Sequence, residues 1–150
     1  MAMKLKIKRI DKSLPLPSHD KGASCFDFVC RKSVKIKPKE IALVPTNSVI
    51  KIPEGYTLLV FSRSSTPLKK GLILANSVGV LDSFYCGDKD EIMLMFYNIT
   101  KKSVIVNRGE HLAQGMVVEH EEIIWDEVEK MPEKGRGGYN SDFNRKDKKK

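Results

Sequence analysis

The sequence predicts an all-β domain, a sandwich or a closed barrel, and three observations carry that prediction. Apolar residues alternate with polar ones at a period of two almost throughout, which turns one face of each strand to a core and the other to water. Turn chemistry punctuates the runs at short, regular spacings, in "KPKE", "PTN", "PEGY" and "NRGE", as it does in sandwiches and barrels. No stretch carries an apolar helical stripe four turns long.

Taken in order, Leu5, Ile7 and, after a slip at Arg9, Ile10 alternate with lysines, and Val34 and Ile36 do the same. "IALVP", "SVIKI" and "YTLLVFS" are β-branched or leucine-rich runs suited to a pleated, half-buried surface. "STPLKKG" is the one helical piece, with Ser65 or Thr66 as its cap and Pro67 at the first helical position. "EIMLMFYNI" is apolar on both parities, which predicts a strand covered on both faces, in a sheet-to-sheet core or a subunit interface. From "MPEKGRGGYNSDF" onward glycines with polar neighbours cannot build a core element, so a mobile C-terminal arm is expected. The 150 residues suit one core. The expected division is a β-barrel domain over 1–130, a glycine-rich arm over 131–144 and a disordered basic tail over 145–150.

Composition excludes several classes. A hydrophobic fraction of 41% argues against global disorder. No apolar run approaches the roughly 20 residues that span a bilayer, and "MAMKLKIKRID" alternates instead of forming a signal-peptide core. Cys25, Cys30 and Cys86 have no C-x-x-C spacing and read as reduced thiols. A cytoplasmic protein without membrane contact is expected. His19, His111 and His120 are scattered, so a transition-metal centre is not. The formal net charge of +8 invites a nucleic-acid reading, but the tail "RKDKKK" holds +4 of it. The rest is spread over strands whose basic residues lack interleaved aromatics, so no specific nucleic acid is expected. A basic surface suits a polyanionic small molecule.

Five segments have the composition of site residues. In "GASCFDF", Asp27 interrupts an apolar stretch, which also fits a strand-start aspartate bonding nearby backbone. In "SRSSTPLKKG", Arg63 offers a fork of donors and Ser64 and Ser65 add hydroxyls, a combination that suits phosphate or a plain capped turn. In "NSVGVLDSFYCG", Asn76 lies six residues before Asp82, so a hairpin would aim both into one pocket. Asn76 matches a nucleobase edge, Tyr85 offers a flat face for a sugar, and Gly79 and Gly87 let backbone approach a ligand. Asp82 itself, among Val80, Leu81, Phe84 and Tyr85, is expected to be half-buried. In "RGEHLAQG", Leu112 and Ala113 enter a strand that Gln114 punctuates. The arm holds Lys134, Arg136, Tyr139 and Ser141, as an anion-closing lid or a basic tail would.

In this order the five segments resemble the motifs of the trimeric deoxyuridine triphosphate nucleotidohydrolases (dUTPases). The matching stretches are "GASCFD", "RSS", "NSVGVLDSFYCG", "GEHLAQ" and "KGRGGYNS", from Gly22 to Ser141. The resemblance implies a jelly-roll-like β-barrel forming a homotrimer, with active sites at subunit junctions and the C-terminal arm exchanged between subunits. It implies hydrolysis of dUTP to dUMP and pyrophosphate, which limits uracil in DNA and supplies dUMP for thymidylate. Asp82 would deprotonate a water for in-line attack on the α-phosphorus, worth about 10²–10⁴-fold. Asn76 would read uracil with nearby backbone at Gly79, and Tyr85 would pack beneath deoxyribose. Arg63, Ser64, Ser65 and Gln114 would hold phosphates or position Asp82. Mg²⁺ on the triphosphate would be reached by Asp27 through water. Tyr139 would stack on the base as the arm closes, with Lys134, Arg136 and Ser141 near the phosphates.

The chain departs from the family pattern at three places. Lys134 stands where arginine is usual, which loses a bidentate grip. Tyr139 replaces phenylalanine, and "NSD" replaces "GST". The stretch after Gly87 is about three residues longer than usual, which predicts an extended hairpin tip. Two other readings compete. The dCTP deaminases share "SRSS" and "FYN", but the glutamate they need before that strand is Met95 here, unless Glu91 reaches the base. A non-catalytic dUTP-binding regulator would keep the pocket and lose turnover.

Overall fold

The alternating runs form antiparallel strands in a computed structural model that describes residues 2–135. Eleven strands and one short helix follow in chain order: β1 (Lys6–Arg9), β2 (Phe26–Asp27), β3 (Val34–Ile36), β4 (Ile41–Pro45), β5 (Ser48–Lys51), β6 (Tyr56–Ser62), α1 (Ser65–Lys70), β7 (Leu72–Leu74), β8 (Gly79–Leu81), β9 (Met93–Asn98), β10 (Val104–Val106) and β11 (Ala113–Glu119). They pair as β1-β5, β10-β3, β2-β11-β6-β8 and β4-β9-β7, every pair antiparallel. After Glu119 the described chain has no further strand or helix, and Ile123, Ile124 and Trp125 are exposed.

The four sheets share one core. Ile36, Val44, Leu58, Leu72, Phe96 and Val106 come from six different strands and are all fully buried in it. Each such side chain removed from water contributes about 1.5–3 kcal/mol, so this shared cluster holds the short strands in place. Strand β9 is covered on one face only within the single chain, which leaves the subunit-interface half of the expectation open. Leu94, Phe96 and Asn98 are buried, but Met93 and Met95 on the other face are 40% and 37% exposed. Nothing among the described residues covers that face, which continues into exposed Ile41, Leu43 and Ile73 on the neighbouring strands.

Asn98, the last residue of "FYN", is structural. Its Nδ2 donates to the carbonyls of Ile36 and Lys102 at 3.0 and 2.8 Å, and its Oδ1 accepts from Thr100 N and Oγ1 at 2.9 and 2.8 Å. All its bonding capacity ties β9 to β3 and to the following turn, as a buried amide requires.

The helix departs from its expected caps. Ser64 is the N-cap and makes no side-chain cap bond, while Pro67 is the third helical residue. Thr66 does not cap because its hydroxyl is buried and donates to the Leu112 carbonyl at 2.7 Å, pinning α1 to β11's approach. Gly71 closes the helix at φ 63°, donating its N–H to the Pro67 carbonyl at 2.9 Å. Only glycine suits this position, because a Cβ would run into Thr100 Cγ2.

Candidate active site

The segment from Asn76 to Gly87 is built on the edge of β6. It is not a hairpin: a turn with Ser77 at φ 62° leads into β8, which adds to β6 with Gly79 opposite Val60 and Leu81 opposite Leu58. Three residues are too few to pair with themselves, and the open β6 edge supplies the partner. A Cβ on Gly79 would stand 3.1 Å from Val60 Cβ and 3.8 Å from Asn76 Nδ2, so glycine keeps the floor open beside the asparagine.

After Leu81 the chain leaves the sheet, and a turn follows in which Tyr85 N–H donates to the Asp82 carbonyl at 3.2 Å. Asp82 is exposed here, against the expectation of a half-buried carboxylate, because it lies past the last paired residue at the rim. Asn76, Gly79, Asp82 and Tyr85 nonetheless line one cleft of about 400 Å³, with Leu43 and Met95 among its apolar walls. Gly87 lies outside it and makes a tight turn, its N–H donating to Asp90 Oδ2 at 2.7 Å. No strand forms between Leu81 and Met93, so the extended hairpin tip is instead an irregular loop.

Asp27, Arg63, Ser64 and Gln114 line a second cleft of about 370 Å³, together with Ser18 and Cys25. Register brings them together: Gln114 faces Asp27 on β2 and Phe61 on β6. Arg63 follows β6, its N–H donating to the Leu112 carbonyl at 3.1 Å and its Nη1 to the His111 carbonyl at 3.1 Å. Its Nε lies 3.4 Å from Asp27 Oδ1. Gln114 is the second residue of β11 and not its punctuation. Its Nε2 donates to the Ser62 carbonyl at 3.5 Å. Ser64, uncommitted as a side-chain cap, lines the cleft, whereas Ser65 does not. With six residues, α1 adds little dipole to the charge of Arg63.

The two clefts share no lining residue. Leu81 is opposite Leu58, five residues before Arg63 along β6, which separates the backbones by about 17 Å. Asp82 continues in the direction away from Arg63. Lys134 is exposed and belongs to neither cleft. Arg136, Tyr139 and Ser141 lie outside the described residues.

One group near the first cleft carried no local sequence signal. Glu91 is the acceptor of a bidentate pair with Arg31, Nε to Oε1 at 2.7 Å and Nη2 to Oε2 at 2.6 Å, with side chains 19% and 12% exposed for Arg31 and Glu91. Asn47 N–H adds a bond to Oε1 at 2.8 Å. The partners are sixty residues apart, so only the fold brings them together. Engaged this way, Glu91 is not available to a base in the cleft.

A family model described as dUTPase matches residues 11–142. The chain belongs to the dUTPase family. A deoxyuridine 5'-triphosphate nucleotidohydrolase of Dictyoglomus turgidum is 38% identical over 142 residues, covering 90% of this chain and 95% of that one. The crystal structure of the Streptococcus mutans dUTPase superposes with a TM-score of 0.73 at 31% identity, covering 79% of this chain and 98% of that one. A point mutant of the Staphylococcus bacteriophage 80alpha dUTPase with dUpNHpp has the same fold, with a TM-score of 0.80 at 22% identity over 92% of this chain and 95% of that one. The all-β architecture is therefore the dUTPase jelly roll. In dUTPase terms, the "NSVGVLDSFYCG" stretch builds the first cleft and the "GASCFD", "RSS" and "GEHLAQ" stretches build the second.

Proposed function

We propose that this dUTPase-family chain hydrolyses dUTP to dUMP and pyrophosphate, removing a source of uracil in DNA and supplying dUMP. The observation that carries the reading is the single cleft lined by Asn76, Gly79, Asp82 and Tyr85. Asn76 has the donor and acceptor for a uracil edge. Gly79 lets backbone approach the base. Tyr85 packs beneath the deoxyribose, where a 2′-hydroxyl would not fit. Asp82 takes the proton of a water whose oxygen bonds the α-phosphorus as the bond to the pyrophosphate oxygen breaks. Its carboxylate is exposed at the rim of the cleft, where it accepts that proton.

Arg63, Ser64 and Gln114 form a polar cleft suited to the phosphate chain, and Ser65 supports it from the first turn of α1. Among the described residues no three His, Cys, Asp or Glu side chains are grouped to hold a metal ion. That donor set fits Mg²⁺ held chiefly by the triphosphate, with Asp27 reaching it through water. When bound, Mg²⁺ neutralises charge on the departing pyrophosphate. Lys134 and Arg136 meet the phosphates, and Tyr139 and Ser141 complete the lid from the arm over 131–144, which follows the barrel over 1–130 and precedes the tail over 145–150.

A homotrimer supports this chemistry. The two clefts are separate within one chain, so the Asp82 cleft of one copy faces the Arg63 cleft of another, and the arm is exchanged. The exposed apolar face of Ile41, Leu43, Ile73, Met93 and Met95 is a surface such an assembly would cover. Three free cysteines suit the reducing cytoplasm, and no helix among the described residues is long and apolar enough to cross a membrane.

The test is pyrophosphate release from dUTP, dCTP and UTP. Release from dUTP alone is expected. Tight dUTP binding without product would make the chain a regulator, and ammonia from dCTP a deaminase. Asp82→Asn is expected to keep dUTP binding and lose at least about 10²-fold in turnover. Unchanged turnover would remove Asp82 from its role.

A further inference from the structure

We infer that the Arg31–Glu91 ion pair is a positioning device for the Tyr85 loop and, through it, for discrimination between deoxyribose and ribose. The selectivity half rests on the reading that Tyr85 packs beneath the sugar. The loop from Asp82 to Asp90 has no strand or helix to hold it. Its tyrosine is tethered at the far end: Tyr85 OH donates to the Glu91 carbonyl at 3.3 Å. The position of the Glu91 backbone therefore bears directly on where the ring sits.

The side-chain ties from other strands to this loop come from exposed lysines. Lys8 meets Asp88 at 2.9 Å, but that aspartate is 89% exposed, and such pairs contribute little. Lys51 Nζ donates to the Ser83 carbonyl at 2.8 Å from an exposed side chain. Glu91 is different in kind. Its two oxygens accept three N–H groups, from the Arg31 fork and from Asn47, in charge-assisted bonds away from water.

The donors are themselves fixed. Arg31 N–H donates to the Pro45 carbonyl at 2.7 Å. Asn47 is buried at φ 64° and clamps the Asp11 backbone from both sides, Nδ2 to the carbonyl at 2.9 Å and Oδ1 from the N–H at 2.6 Å. The next residue, Ile92, donates to the Ser48 carbonyl at 2.9 Å and accepts from Thr46 N–H and Oγ1 at 3.1 and 2.7 Å. The β4–β5 turn and Arg31 thus form a rigid socket, and the glutamate plugs the loop into it.

Glu91→Gln keeps the size of the side chain but sets an NH₂ group against the Arg31 Nη2 donor, breaking the fork. In the full-length chain, hydrogen exchange of peptides covering 82–91 is expected to quicken about 10-fold or more while β6 and β11 keep their protection. The ratio of kcat/KM for dUTP over UTP is expected to fall about 10-fold or more, mostly through dUTP, since misplacing a positioning group by about 1 Å can cost that much. Val106→Ala, a core cavity in β10 away from both clefts, controls for lost stability and should leave the ratio alone.

An unchanged ratio in Glu91→Gln, or an equal drop in Val106→Ala, overturns the inference. So does unaltered exchange over 82–91. If Glu91→Gln does not fold, Arg31→Lys, which keeps the charge and loses the fork, is held to the same two criteria. A wild-type chain that releases no pyrophosphate from dUTP sinks the proposed function, and the exchange measurement still decides whether the pair holds the loop.

Discussion

Two inactive variants should restore each other if the site is shared between copies. Asp82→Asn removes the proposed base from the first cleft, and Arg63→Ala removes the proposed phosphate ligand from the second. The clefts share no residue within one chain, and the backbones of Leu81 and Arg63 are separated by about 17 Å along β6. If copies assemble as the proposed cyclic trimer, each site would draw its aspartate from one subunit and its arginine from another. When the variants are mixed one to one and allowed to assemble at random, half the subunits carry each intact residue, so about a quarter of all sites have both. Were both residues of a site drawn from the same chain, every site would carry one lesion and none would recover. The assay is co-expression with two affinity tags or co-refolding, followed by pyrophosphate release at saturating dUTP, compared with the summed activity of the separately assembled parents. Recovery near a quarter of wild type is expected. Activity no higher than the parents would refute the shared-site reasoning and leave each chain to complete its own site. The stability of Asp82→Asn should stay within about 0.5 kcal/mol of wild type, because the residue is exposed and its backbone bond to Tyr85 survives the change, so misfolding does not confuse the result.

Gly71→Ala should cost about 2–4 kcal/mol, from a left-handed backbone and the collision with Thr100, read as a lower denaturant midpoint at fixed protein concentration. A cost below about 0.5 kcal/mol would mean that the turn relaxes freely. Acid should destabilise the fold through two carboxylates. The Ser13 hydroxyl and then the Arg108 guanidinium hold the Asp11 carboxyl well below the usual range. Burial raises Glu110, but the Lys70 bond and the Asn107 N–H outweigh it and leave the group lowered. A depressed native pKa contributes stability above the unfolded value and loses it as pH falls from about 4. The decline in midpoint below that pH should be shallower in Asp11→Asn, and parallel declines would dismiss the contribution. Chelation with EDTA should suppress pyrophosphate release from dUTP and added Mg²⁺ should restore it; activity indifferent to both would remove the metal from the proposal.

Strands were legible where apolar residues alternated with lysines, as in β1 and β3, or ran together between turn residues, as in β4, β5 and β6. They were not legible in β7 and β10, which have three residues each and are held by pairing with a neighbour. Gln114 was misread as strand punctuation for a related reason. The Gly115 beside it looks like a break, but a Cβ there would stand 2.7 Å from Phe26 Cζ and 3.0 Å from Leu58 Cδ1. That glycine marks a close crossing inside β11, which only the packing reveals.

The sequence by itself determined the all-β class, the family and the chemical character of each motif, because periodicity, turn residues and short spacings are local properties of the chain. Tertiary structure decided which motifs meet. Asn76, Gly79, Asp82 and Tyr85 share one cleft and Asp27, Arg63, Ser64 and Gln114 another, because strand register sets those neighbours across long stretches of chain. It alone joined Arg31 to Glu91 and left the outer face of β9 uncovered by the described residues. Contacts between distant residues follow from how sheets close around a common core, and no local pattern encodes that closure.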